Sequence, residues 1–107
     1  MRRGSIYWVN LGTTHPPEFG KTRPGIVVSN TVQNTVLDSV VIVPLSTQPE
    51  EIWPLRVDAG VHAGETSFAV LPGIRQVSKT RLGDQFSVVN EEHMGRIDGA
   101  LEAYLSE

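Results

Sequence analysis

Cysteine is absent from this 107-residue sequence. Its absence excludes disulfides, thiolate nucleophiles and cysteine-ligated zinc. Histidine is scarce, and His15, His62 and His93 have no metal-ligand spacing, so neither a metal nor a cofactor is expected. His62 and His93 read as surface residues. Long apolar runs are missing too. The longest, Val40 to Leu45, already contains Pro44 and falls far short of the roughly 20 residues that cross a bilayer. No apolar signal core follows the basic start Met1-Arg2-Arg3-Gly4, so a cytoplasmic address is expected, with no membrane partner. There is no Gly-rich loop leading into a helix and no Gly-x-Ser-x-Gly elbow. P-loop nucleotide binding and elbow-type hydrolysis are therefore disfavoured.

What is present fits one folded domain over 1–107, with 39% apolar and 20% charged residues. The net charge of −3 is unevenly spread. Positions 90–107 hold five acids against Arg96 alone, whereas the other 89 residues carry eight bases and seven acids. Arg2, Arg3, Lys21 and Arg23 oppose only Glu18 in the first 25 positions, and Arg75, Lys79 and Arg81 form a second basic cluster. A locally positive face of this kind is compatible with RNA binding, and equally with two solvated basic edges.

Most of the chain reads as short strands. Ser5 to Leu11, Gly25 to Ser29, Ser39 to Leu45, Ile52 to Val57, Ser67 to Leu71, Gly73 to Val77 and Phe86 to Val89 are β-rich runs. Between the first two lies a long loop, 12–22, whose composition suggests a functional segment. Asn90 starts a different regime. Met94, Ile97, Leu101 and Tyr104 recur at helical steps with Ala100 and Leu105 adjacent, behind Glu91 and Glu92, predicting an amphipathic helix over 91–105. The expected fold is mainly β (α+β): a small, strongly bent sheet or barrel carrying one C-terminal helix.

The residues left for chemistry are Arg, Ser, Thr, His and Glu at strand–loop junctions. That set suits phosphoryl chemistry driven by positioning and charge stabilisation. Arg23, where the long loop becomes strand, either packs its stem over the core or forks two bonds to a phosphate. Ser46, Thr47 and Gln48 end the most apolar strand and offer donors to phosphate oxygens, or cap an ordinary turn. His15 and Glu18 in the long loop are candidates for proton transfer or ribose contact. Tyr7 and Trp8 point to opposite faces of the first strand, one ring for the core and the other free to stack.

Several segments together resemble the MazF/PemK family of toxin endoribonucleases. They are Arg3-Gly4-Ser5-Ile6-Tyr7-Trp8-Val9-Asn10-Leu11; Gly20-Lys21-Thr22-Arg23-Pro24 with Ile26 to Asn30; Val43-Pro44-Leu45-Ser46-Thr47-Gln48; and Ile74-Arg75 with Lys79-Thr80-Arg81-Leu82-Gly83. With the terminal helix they fall in the family's order along nearly the whole chain. The sequence departs from the family at Ser5, where Asp is usual, at Pro17-Glu18-Phe19, and at Pro72-Gly73, which replaces Asp-Gln.

The resemblance implies an SH3-like, plasmid-maintenance-toxin barrel working as a homodimer. It implies metal-independent, sequence-specific cleavage of single-stranded RNA by 2′-OH attack, leaving a 2′,3′-cyclic phosphate or 3′-phosphate and a 5′-hydroxyl. A small antitoxin partner is implied as well. The family's catalytic Arg falls on Arg23 and its Ser/Thr on Ser46, with Thr47 beside it. His15, Glu18, Lys21, Thr22, Gln48, Arg75, Lys79 and Arg81 are the expected RNA contacts. Specificity is expected from the 12–22 loop and from loops after Gln48 and around Ala59–Glu65. His15, Glu18 or the phosphate itself is left as proton acceptor. The alternatives are a CcdB-like gyrase-binding toxin of the same fold, or an inactive binding barrel.

Overall fold

The computed structural model describes residues 1–12 and 21–106, so His15 and Glu18 lie outside the described residues. The described residues form seven strands: β1 Ser5–Asn10, β2 Thr22–Val27, β3 Ser39–Ser46, β4 Arg56–His62, β5 Glu65–Val70, β6 Arg75–Ser78 and β7 Leu82–Val88. Two helices, α1 Thr31–Val36 and α2 Glu91–Leu105, interrupt and end them. The strands form one curled antiparallel half-barrel in the order β4-β5-β3-β2-β1-β7, with β6 beside β3. Strand β3 organises this sheet. It is long enough to pair with β2 along one edge and with β6 and β5 in succession along the other.

Alternation along β3 explains why both faces of the sheet carry a core. Val43 and Leu45 enter a cluster with Ile6, Ile26, Val57 and Leu71, while Val40 and Ile42 enter a second with Val9, Val27 and Val77. Helix α2 covers the first cluster through Ile97 and Ala100, both fully buried. Asn90 caps it, its Oδ1 accepting from the His93 backbone N–H at 2.8 Å, and Glu91 and Glu92 fill the first turn. Helix α2 therefore has the expected bounds, although Leu105 stays exposed. Gly25 is required by close approach, because a Cβ there would lie 3.1 Å from Val9 Cγ2.

Three expectations are corrected. Only Arg56 and Val57 of the run Ile52 to Val57 are strand. A tight turn consumes the rest, with Leu55 N–H donating to Ile52 C=O at 2.6 Å, and the strand starts at Arg56. Trp53 instead lies against α2, its ring 5.4 Å beneath the Arg96 guanidinium. The segment Ala59–Glu65 is not a loop. It is most of a hairpin whose turn is Ala63-Gly64. Helix α1 was not expected. Asn30 caps it, and the buried Asn34 side chain donates to Ser29 C=O at 2.9 Å.

Candidate active site

Antiparallel register brings Arg23 and Ser46 together. Gly25 lies opposite Pro44 and Ile26 opposite Val43. The β2–β3 pairing runs from Val27 and Ile42 to Gly25 and Pro44, and Arg23 and Ser46 lie two residues beyond it, at the adjoining ends of β2 and β3. Both residues line one cleft of ≈ 450 Å³ at the end of the sheet where β2 begins and β3 stops.

The floor of the cleft runs from Lys21 to Pro24 and from Leu45 to Thr47. One wall is aromatic: Trp8 and Phe86 meet edge to face at 4.9 Å. Trp8 is 41% exposed, whereas Tyr7 packs against the second core cluster. The other wall is the β4–β5 hairpin, contributing His62, Ala63, Glu65 and Ser67.

Backbone strain concentrates at this end. Lys21 (φ 62°) and Ala63 (φ 53°) are left-handed non-glycine residues that line the cleft. That geometry costs on the order of 1–2 kcal/mol per residue. Lys21 is clamped there by two bonds. Its N–H donates to Gly12 C=O at 2.6 Å, and its C=O accepts from Leu11 N–H at 2.7 Å. The clamp ties Leu11 and Gly12 to Lys21 beside Arg23.

The Ser46 hydroxyl is oriented as well. Its Oγ accepts the Gln48 backbone N–H at 3.1 Å, leaving the O–H proton available to a ligand. A guanidinium and a hydroxyl donor lining one cleft suit an anionic oxygen pair.

The sequence-predicted residues divide into three groups. Lys21, Thr22, Arg23, Ser46 and Thr47 come together in the cleft. Gln48 supports Ser46 through its backbone but does not line the cleft. Arg75, Lys79 and Arg81 are elsewhere. Arg75 lies opposite Ile42, four residues along β3 from Ser46, or about 13 Å at strand rise. Lys79 sits in the turn after β6, where its N–H donates to Asp38 C=O at 2.9 Å. Arg81 Nη1 donates to Asn10 C=O at 3.1 Å, near the base of the long loop.

Sequence reasoning missed His62, Glu65, Ser67 and Phe86. His62 is a correction: it is 8% exposed, because both ring nitrogens are engaged, Nδ1 with Ser87 Oγ at 2.6 Å and Nε2 with Ala59 C=O at 2.9 Å. His93 is half-buried, its Nε2 3.8 Å from Asp58. The Ala63-Gly64 dipeptide between two β runs was the available signal for the hairpin that carries these groups. Among the described residues no group of three His, Asp or Glu is placed to hold a metal ion, and no helix is long and apolar enough to cross a membrane.

Fold and cleft thus define a small curled-sheet protein that brings a guanidinium and a hydroxyl to one cleft. The chain belongs to the PemK-like, MazF-like toxin family of type II toxin–antitoxin systems, which it matches over residues 2–105. Endoribonuclease EndoA of Bacillus subtilis (strain 168) is 26% identical over 110 residues, spanning 99% of this chain and 95% of that protein. A solved endoribonuclease in complex with its cognate antitoxin, from a mycobacterial species, superposes with a TM-score of 0.82. It is 30% identical and covers 98% of this chain and 94% of its own. MazF of Deinococcus radiodurans shares the fold, with a TM-score of 0.82 at 21% identity over 98% of this chain and 96% of that one.

Proposed function

We propose that the protein is the toxin of a type II toxin–antitoxin pair and a metal-independent endoribonuclease. It cuts single-stranded RNA at specific sites in the cytoplasm. The observation that carries this reading is that Arg23, from the start of β2, and Ser46, from the end of β3, line one cleft. Family membership supplies the reaction class, and the matched relatives are endoribonucleases. The gyrase-binding alternative needs no such pair and has no support among them.

In the proposed mechanism a ribose 2′-OH attacks the adjacent phosphorus. Arg23 forks onto the non-bridging oxygens and stabilises the charge that builds on them. Ser46 donates a second bond to the same group, and Thr47 lies beside it. Lys21 and Thr22 hold the neighbouring backbone. Trp8 offers a face on which an unpaired base stacks. Arg75, Lys79 and Arg81 lie outside the cleft and would engage RNA further along the strand. One toxin domain over 1–107 acts as a homodimer. A small antitoxin, like the one bound to the mycobacterial relative, would block the cleft.

The test is incubation with a long RNA in EDTA, followed by mapping of the ends. Discrete cuts with 5′-hydroxyl ends, lost in Arg23→Ala, are expected. Intact RNA together with inhibited DNA supercoiling would contradict the assignment.

A further inference from the structure

We propose that Glu65 is the general base of the cleft, held in place by a clasp between His62 and Ser87. The proposal rests on the ribonuclease reading above. Attack by a 2′-OH requires an acceptor for its proton. Among the described residues, four titratable side chains line the cleft: Lys21, Arg23, His62 and Glu65. Lysine and arginine are cations that donate rather than accept. His62 is occupied. A carbonyl only accepts, so the Nε2 that meets Ala59 C=O carries the hydrogen, and the Nδ1 lone pair takes the Ser87 hydroxyl. Both nitrogens are thus engaged within the protein. Glu65 remains. It is exposed, and its carboxylate makes no ion pair among the described residues.

The clasp explains how an exposed hairpin residue is kept in register with the floor. His62 and Glu65 are direct partners across β4 and β5. The two-residue turn between them has positive φ at both Ala63 (53°) and Gly64 (80°), the pattern of a tight primed hairpin turn. Anchoring His62 therefore fixes the backbone of Glu65. The anchor, Ser87, belongs to β7, and β4 and β7 are the two outermost strands of the path. A single side-chain bond of 2.6 Å thus ties the hairpin to the far edge of the curled sheet.

In the step assigned to Glu65, its carboxylate takes the 2′-hydroxyl proton as the 2′-oxygen bonds to phosphorus. The bond from phosphorus to the 5′-oxygen breaks, and that oxygen takes a proton from water. The carboxylic acid then returns its proton to solvent. A 2′,3′-cyclic phosphate and a 5′-hydroxyl result.

The test is steady-state cleavage of a fluorophore-labelled RNA containing a wild-type cut site, in EDTA, over a range from about pH 4 to 9. Glu65→Gln is expected to lower kcat by about 10²–10⁴ and to remove the acidic limb of the profile. KM should stay within about threefold. Ser87→Ala displaces rather than removes the base. Its kcat should fall by roughly tenfold with the acidic limb retained, and Ser87→Thr should restore the rate. Wild-type kcat and an intact acidic limb in Glu65→Gln would overturn the proposal while leaving the ribonuclease reading standing. A raised KM with unchanged kcat would overturn it too, by making Glu65 a binding group. Loss of the limb in His15→Gln or Glu18→Gln, with Glu65→Gln unaffected, would move the base to the long loop. RNA left intact by the wild type would overturn the ribonuclease reading and the proposal with it.

Discussion

The two ends of the sheet are built by different rules. Under α2, Ile6, Ile26, Val43, Leu71 and Ile97 are fully buried, and the strands that carry most of them alternate regularly. At the cleft end the chain turns polar, and Lys21 and Ala63 sit in the left-handed region. The cleft also draws on segments far apart in sequence, around Arg23, Ser46 and Glu65. Stability and chemistry are therefore separable. The core end holds the frame, and the cleft end spends part of that stability on geometry that only a ligand uses.

Substitutions that touch only one end should break or sharpen this contrast. Arg23→Ala carries the largest expected effect. RNA cleavage should fall by about 10³-fold or more, while the urea midpoint stays near wild type. A large loss of stability in Arg23→Ala would show that the two ends are one unit. Ile97→Ala is the converse. It should cost roughly 2–5 kcal/mol in urea unfolding, with near-normal kcat in the fraction that remains folded. Trp8→Ala should weaken RNA binding by about 1–3 kcal/mol, read as a higher KM with kcat little changed.

The smallest effect is expected at the pair joining the N-terminal segment to α2. Arg3 Nη1 donates to Asp98 Oδ2 at 3.1 Å. The side-chain hydrogen bond to Asp98, with its negative charge, raises the Arg3 pKa against the opposing effect of burial. A raised pKa on a base contributes stability below its unfolded value and loses it only as pH climbs through the folded one. For a guanidinium that lies far above neutrality, so this term should be flat across neutral pH. Asp98→Asn should cost no more than about 1 kcal/mol, and less at high salt.

The same contrast decides what the sequence disclosed. Helix α2 was legible because Met94, Ile97, Leu101 and Tyr104 mark one face without ambiguity. Arg23 and Ser46 stood out as candidates because they bound strong apolar runs, Arg23 opening one and Ser46 closing the other. Helix α1 was not, because Thr31–Val36 is short and β-branched and depends on Asn30 and Asn34 for its caps and contacts. Strand β4 was misplaced because Ile52, Trp53 and Leu55 look like strand residues, yet they serve a turn that packs on α2. His62 and Glu65 fell within the Ala59–Glu65 segment expected to carry specificity, but neither side chain stood out there. Nothing local shows that curling of the sheet carries the β4–β5 hairpin over to Ser87.

The central claim is that Arg23 and Ser46 grip one phosphodiester. A double-mutant cycle on kcat/KM, with Arg23→Ala, Ser46→Ala and the double variant, tests it most directly. If both contact the same phosphate, the two losses should fail to add, with a coupling of about 1 kcal/mol or more. Losses that add within about 0.5 kcal/mol would mean that the two groups act independently, and the account of the cleft would be wrong.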